Sequence, residues 1–211
     1  MLEDLSKLHI QFKRQSLNRS DLDDNPISQF KKWLEEALSS KINDPTAMTL
    51  ATVGKNGNPS ARIVLLKSID EEGFSFFTNY TSRKGSELIS NPNAALVFYW
   101  PELERQIRVE GSVKVVDAEL SNKYFNSRPE QSRISAIISP QSKPIPNRDF
   151  LEKKIEEFIA GKRELTRPEN WGGFILEPTE IEFWQGRENR LHDRFKYTRE
   201  EKSWHIERLA P

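Results

Sequence analysis

The stretch Trp184-Gln185-Gly186-Arg187-Glu188-Asn189-Arg190-Leu191-His192-Asp193-Arg194-Phe195 sets three arginines beside one of only three histidines in the chain. Arginine offers a planar fork that matches phosphate or carboxylate. Histidine is the side chain whose ordinary pKa lies near neutrality. Fixed cations around one titratable ring suit an anionic ligand. Taken alone, the same residues make a charged hairpin tip in water, so the rest of the chain has to decide.

Further cations recur at strand and helix-start positions: Arg62, Lys67, Arg83, Lys84 and Arg128. Several stand beside hydroxyls or amides such as Thr78, Ser82, Ser132, Gln141 and Ser142. That pattern suits one or two phosphate-bearing small ligands on a barrel rim. Arg62 and Lys67 are five positions apart, so strict alternation places them on opposite faces of a strand. Both serve one site only if the strand bends or the site spans its end, and a dimer with shared sites is another solution.

Other chemistries fall away. The chain has no cysteine, which removes disulfides, thiolate catalysis and Cys-ligated metal. His9, His192 and His205 have no metal-binding spacing. No Gly-rich dinucleotide motif, P-loop or Gly-x-Ser-x-Gly elbow is present. Lys+Arg and Asp+Glu are both 32, and this zero balance argues against a general nucleic-acid binder. No secretory leader and no apolar run of the ~20 residues a membrane span needs can be read. A cytoplasmic protein that neither binds nucleic acid nor enters a membrane is expected.

The elements that must position these residues read as mostly β with peripheral helices. Residues 1–24 form a polar arm, and residues 25–211 a single domain. Asn25-Pro26 opens a helix to about Ser40, with Ile27, Phe30, Trp33, Leu34 and Leu38 on one face. Strands follow at 47–53, 60–67 and 73–78, the first two joined through Asn56-Gly57, and a three-strand meander is expected. A capped helix runs from Thr81 to about Ser90. Strands at 94–100 and 105–116 come next. In the second, Ile107, Val109, Val113 and Val115 face one way. Helices are expected over 117–127, 132–139 and 148–160, the last with Phe150, Leu151, Ile155 and Phe158 as its stripe. Pro178 splits two strands at 171–176 and 180–184, and a last hairpin covers 194–198 and 204–209. The strands and Gly-marked corners suggest a small closed or nearly closed barrel.

Several motifs carry a resemblance. They are Arg62-Ile-Val-Leu-Leu-Lys67, Phe77-Thr-Asn79, Ser82-Arg-Lys84, Glu104-Arg-Gln106, Tyr124-Phe-Asn-Ser-Arg-Pro129, Gln141-Ser142, Trp171-Gly-Gly-Phe174, Glu182-Phe-Trp-Gln-Gly186, Arg190-Leu-His-Asp-Arg194 and Arg208-Leu-Ala-Pro211. In this order, from about residue 20 to the end, they resemble the pyridoxamine 5′-phosphate oxidase family. The resemblance implies an antiparallel FMN-binding split β-barrel and a homodimer with FMN at the interface. It implies oxidation of pyridoxamine or pyridoxine 5′-phosphate to pyridoxal 5′-phosphate, in vitamin B6 metabolism. Hydride would pass from substrate C4′ to flavin N5, with O2 as acceptor, giving H2O2, and ammonia from the amine.

Residue roles follow from the same resemblance. Arg62, Ile63, Val64, Leu65, Lys67 and Leu66 between them, with Phe77, Thr78, Arg83, Lys84, Gln106, Gln141, Ser142, Trp184 and Arg194, would bind FMN. Lys67, Tyr124, Arg128 and Ser132 would hold the substrate phosphate. Arg190, Leu191 and His192 would meet the substrate ring, with Arg190 and His192 catalytic. Asp44 is a secondary candidate for a polar contact at C4′. Phe77 departs from the family's frequent Tyr, and the arm matches poorly before residue 17. Two rivals stay open: a split-barrel flavoprotein acting on another substrate, and a non-catalytic carrier of FMN or pyridoxal phosphate.

Overall fold

The computed structural model describes residues 12–211. Residues 1–11 of the expected arm, with His9, lie outside the described residues. Five α-helices stand among the described residues: α1 (Pro26–Ser39), α2 (Arg83–Ser90), α3 (Ala118–Ser127), α4 (Glu130–Ile138) and α5 (Asp149–Ala160). The strands are β1 (Ala47–Val53), β2 (Pro59–Leu65), β3 (Ser68–Ile69), β4 (Phe74–Asn79), β5 (Asn93–Trp100), β6 (Arg105–Val115), β7 (Trp171–Gln185), β8 (Asp193–Arg199) and β9 (Trp204–Leu209). They form one sheet in the order β2-β1-β5-β6-β7-β4-β3, with β8 on β7 and β9 on β8. The ladders β3–β4, β4–β7, β7–β8 and β8–β9 are antiparallel. The mostly-β expectation holds. No helix among the described residues is long and apolar enough to cross a membrane.

The chain forms two compact units. Among the described residues, the first takes 12–49, Ala95–Glu110 and Pro178–Pro211, the second Leu50–Ala94 and Gly111–Glu177. In the first, α1 starts where Asn25 Oδ1 accepts the Ile27 N–H at 2.8 Å and Pro26 takes the first helical position. Ile27, Phe30, Trp33 and Ala37 are its buried stripe. Leu38, expected on that face, is 57% exposed, because Ala37 occupies the turn of the helix that meets the core. Phe30 packs edge-on to Phe98 at 4.9 Å, and Trp33 packs edge-on to Phe183 at 5.2 Å. Burying an aromatic ring of this size contributes about 1.5–3 kcal/mol.

In the second unit, β4 pairs with β7 from Phe74↔Leu176 to Asn79↔Trp171. Phe74, Phe76, Phe174 and Leu176 are essentially inaccessible. The expected meander of the first three strands does not form. β4 is buried along nearly its whole length and takes β3 and β7 as neighbours, whereas β2 is half-exposed along one face. Apolar alternation marks β4 as a strand but carries no information on its partner, and the buried partner is about a hundred residues away.

Two more expectations change. β7 runs unbroken through Pro178. Its ladder with β4 ends at Leu176 and its ladder with β8 begins at Glu180, so the missing Pro178 N–H falls between the two. Val115 is 55% exposed, because the alternation of β6 gives out beyond Val113. On α5, Phe158 alone of the expected stripe is fully buried.

The β3–β4 hairpin depends on one backbone approach. Gly73 has φ +151, and a Cβ there would stand 1.9 Å from the Leu176 carbonyl oxygen. Neither atom belongs to a flexible side chain, so the ladder would have to move. Gly73→Ala is expected to cost about 3 kcal/mol or more. An unchanged urea midpoint would contradict the close approach.

Candidate active site

An open cavity of 490 Å³ lies in the second unit. β2 lends it Ile63, Val64 and Leu65, β4 lends Phe77 and Thr78, and β7 lends Trp171. Lys84 of α2, Tyr124 of α3, Arg128-Pro129 of the α3–α4 junction, Ser132 of α4 and Gln141 complete the wall with Lys67. The five-residue spacing of Arg62 and Lys67 is settled by the chain leaving β2 after Leu65. The Lys67 N–H then bonds to the Ser75 carbonyl at 2.9 Å, which turns its side chain to the cavity.

Arg128 is the unsatisfied group of this wall. It caps the end of α3, where its N–H bonds to the Phe125 carbonyl and Pro129 blocks a further turn. Its guanidinium lies over the Trp171 ring at 4.8 Å. Its Nη1 is buried and has no hydrogen-bond partner. Burial pushes its pKa down, and Tyr124 partly offsets this. Tyr124 stacks on Phe77 at 4.0 Å and lies nearly parallel to Trp171, giving the cavity an aromatic wall beside the free guanidinium. A guanidinium with an unspent, desolvated N–H is a strong donor to phosphate or carboxylate oxygens.

A second cationic group stands at Lys84. Its Nζ donates to Thr78 Oγ1 at 3.3 Å. Its pKa is pushed down by burial first and then by the nearby Arg62. Two cations are therefore held close, and no ion pair joins Lys84 to a described carboxylate. Gln141 Oε1 accepts from Thr78 Oγ1 at 3.2 Å and from the Asn79 N–H at 3.3 Å, fixing the loop residue to β4. Arg83 is turned along its helix to Glu87 at 2.9 Å. Ser142 is exposed with φ 69, and Leu66 is buried beneath the strand end.

The first unit holds the arginine-rich tip. Gln106 is half-buried on β6. Trp184 stands opposite Arg194 in the β7–β8 ladder. Arg194 is bidentate to Glu182, at 2.8 and 3.1 Å, and also donates to the Ala210 carbonyl. Asn189 and Arg190 both have left-handed backbone, φ 54 and φ 61. The Arg190 side chain is exposed and makes no hydrogen bond or ion pair with a described residue, and Leu191 is 69% exposed. Asp44, also in this unit, has φ 60, and its Oδ1 accepts from Thr46 Oγ1 in a tight turn.

His192 is fixed on two sides. The Arg187 backbone N–H donates to its Nδ1 at 3.1 Å, so the proton of the neutral ring is on Nε2. The ring packs on Trp184 at 4.6 Å and on Phe12 at 5.7 Å. Burial, then Arg190 and Arg194, push its pKa down, while Asp193 pulls the other way. The folded pKa lies below the unfolded ~6.5, so the stability tied to the neutral ring is fully present above that value. It is lost as pH falls through the depressed folded value. In ¹⁵N spectra at neutral pH, His192 is expected to show a bare Nδ1 and a protonated Nε2. A protonated Nδ1 would refute the assignment.

Two residues escape the sequence reading. Phe12 packs on Trp184 and would meet any Cβ added at Gly186 at 2.7 Å. Glu87 gathers Arg62 and Arg83. Its four-residue spacing from Arg83 on one helix was the available signal. Nothing in the local pattern around Phe12 marked it.

Comparison with known proteins decides the family. A family model described as "Pyridoxamine 5'-phosphate oxidase" matches residues 34–160, more than half of the chain. The chain belongs to the pyridoxamine 5′-phosphate oxidase family. A second model, "Pyridoxine 5'-phosphate oxidase C-terminal dimerisation region", matches residues 171–211. A pyridoxine/pyridoxamine 5′-phosphate oxidase of Cupriavidus pinatubonensis is 55% identical, covering 93% of this chain and 93% of its own length. One from a Cyanothece species is 52% identical, covering 98% of each. The chain is thus an oxidase of this family. Among solved structures, PhzG from Burkholderia lata, in complex with tetrahydrophenazine-1-carboxylic acid, superposes with TM-score 0.88 at 32% identity, over 94% of this chain and 99% of that one. An FMN-binding family relative from Nostoc punctiforme shares the fold at TM-score 0.71 and 18% identity, over 90% of this chain and 100% of that one. The split-barrel expectation is met.

Proposed function

We propose that this oxidase converts pyridoxamine 5′-phosphate and pyridoxine 5′-phosphate to pyridoxal 5′-phosphate with bound FMN and O2. The observation that carries this reading is the buried, unpartnered Arg128 Nη1 on the wall of a cavity that also holds Lys67, Tyr124 and Ser132. Those four hold the substrate phosphate. The unneutralised Lys84, near Arg62 and beside Thr78, fits a second phosphate, that of FMN. Arg83, Gln141 and Ser142 belong with it. Residues 63–66 and Phe77 border the flavin ring.

When bound, FMN supplies a hydride acceptor at N5 for substrate C4′ and passes the electrons to O2, yielding H2O2, with ammonia released from the amine. The protein's own work is orientation: two phosphates anchored by separate cations leave the two rings face to face. Arg190 aligns the substrate amine or alcohol. His192, held as the Nε2–H tautomer, offers a hydrogen-bond donor at the substrate ring, beside Leu191.

In this reading the enzyme is a cytoplasmic homodimer, with residues 25–211 as one cofactor-binding domain behind an N-terminal arm. The FMN lies at the subunit interface, where Gln106, Trp184 and Arg194 also meet it. The match of residues 171–211 to a dimerisation region supports this assembly. One experiment tests the whole reading. The purified protein should be yellow, bleach on anaerobic addition of pyridoxine 5′-phosphate, and recover its colour with pyridoxal 5′-phosphate when air is admitted. Bound FMN without bleaching would favour a flavoprotein acting on another substrate.

A further inference from the structure

The cations near Lys84 are organised by a carboxylate. Glu87 lies one helical turn beyond Arg83 on α2, with a side chain only 11% exposed. Its Oε1 accepts Arg83 Nε at 2.9 Å. Its Oε2 accepts Thr52 Oγ1 at 2.5 Å, Ser60 Oγ at 2.7 Å and Arg62 Nη2 at 3.3 Å. The two hydroxyls in turn accept from Arg62, Thr52 Oγ1 from Nη1 at 2.6 Å and Ser60 Oγ from Nη2 at 2.5 Å. Nη1 also donates to the Leu50 carbonyl at 3.2 Å. All four Nη hydrogens of Arg62 are thereby spent inside the protein. What Arg62 still offers a ligand is its Nε–H and its charge.

We propose that Glu87 is a positioning residue, which holds Arg62 and Arg83 around Lys84 and so builds the cofactor-phosphate subsite. This rests on the reading of the Lys84 cluster as that subsite. Four considerations support the role. Four donors converge on the carboxylate, and only an ionised acid meets them all without presenting an N–H of its own. Glu87 is ionised throughout the working range: burial opposes this, but hydrogen bonds from Ser60, Thr52 and Arg83 outweigh it and hold its pKa at about 2. The charge also matches. Three cations and one carboxylate leave two net positive charges, against the ≈ −1.5 to −2 of a phosphate monoester near neutrality. Finally, two long side chains fixed before the ligand arrives move the cost of ordering them from binding to folding.

The test compares FMN with riboflavin, which lacks the phosphate. The full-length protein is stripped of cofactor and titrated with each by flavin fluorescence, as wild type and as Glu87→Gln. The expected result is a rise in the FMN Kd of about tenfold or more, with the riboflavin Kd changed less than about twofold. Equal losses for both ligands would show a general structural role and overturn the proposal. So would an FMN affinity that is unchanged or tighter, the latter marking Glu87 as a competitor for the arginines. Should Glu87→Gln fail to fold, Glu87→Asp keeps the charge but withdraws it from both arginines, and the same selective loss for FMN is required. A wild type that prefers FMN to riboflavin by nothing measurable would instead overturn the phosphate assignment, and Glu87's role with it.

Discussion

Replacing Arg128 by Met is expected to lower kcat/KM for pyridoxine 5′-phosphate by about 10²–10³-fold while leaving the cofactor-free protein no less stable. The two halves have one cause. In the free protein the buried Nη1 has no partner, a condition that costs about 1–3 kcal/mol. Against this, the guanidinium gains its contact with the Trp171 face, worth about 0.5–2 kcal/mol. Arg128 thus adds little to folding, and Met keeps most of the packing over Trp171. With a phosphate bound, the same N–H gains a charged acceptor in a desolvated wall, and truncating such a pair costs about 2–5 kcal/mol. At 1.36 kcal/mol per tenfold, that range brackets the expected loss. The loss should appear in KM, and FMN affinity should not change. A melting temperature that falls sharply, or an equal loss of FMN affinity, would remove Arg128 from the phosphate site.

Arg190→Ala is expected to act on turnover instead. The residue sits at φ 61 after Asn189 at φ 54, and its side chain makes no hydrogen bond or ion pair with a described residue. Its charge instead helps hold His192 neutral. Left-handed backbone at two successive non-glycine residues costs roughly 1–3 kcal/mol each and persists where a function requires it. Losing one aligned cation at a reacting centre typically costs about 10²–10³ in rate. We expect kcat/KM to fall by about that factor, with FMN content and melting temperature close to wild type. An unchanged kcat/KM would remove Arg190 from the catalytic step, and a parallel loss of flavin would place it with the cofactor.

These two arginines show how far the local pattern reaches. Both stood out in the sequence, as did Arg62, Arg83 and Arg194. What separates them is which donors the fold has already used. The Arg62 Nη groups are consumed by Leu50, Thr52, Ser60 and Glu87. Arg194 is locked to Glu182, and Arg83 leans on Glu87. Among the described residues, Arg128 Nη1 and the Arg190 fork are left over. Lys67 reached the cavity because β2 stops at Leu65, a boundary that alternation alone extended by two residues.

The sequence by itself determined the family, the identity of most strands and helices, and where several helices begin. Asn25, Ser82 and Asp117 cap α1, α2 and α3 by accepting the N–H of Ile27, Gly85 and Leu120, two or three positions on, and apolar periodicity records which face of an element is buried. Those are local properties, and a linear pattern carries them. The tertiary structure alone decided that β4 pairs with β7 and that Pro178 can lie inside a strand. It also decided which cations remain free for a ligand. Each of these depends on hydrogen-bond partners brought together from distant parts of the chain, and no local spacing encodes them.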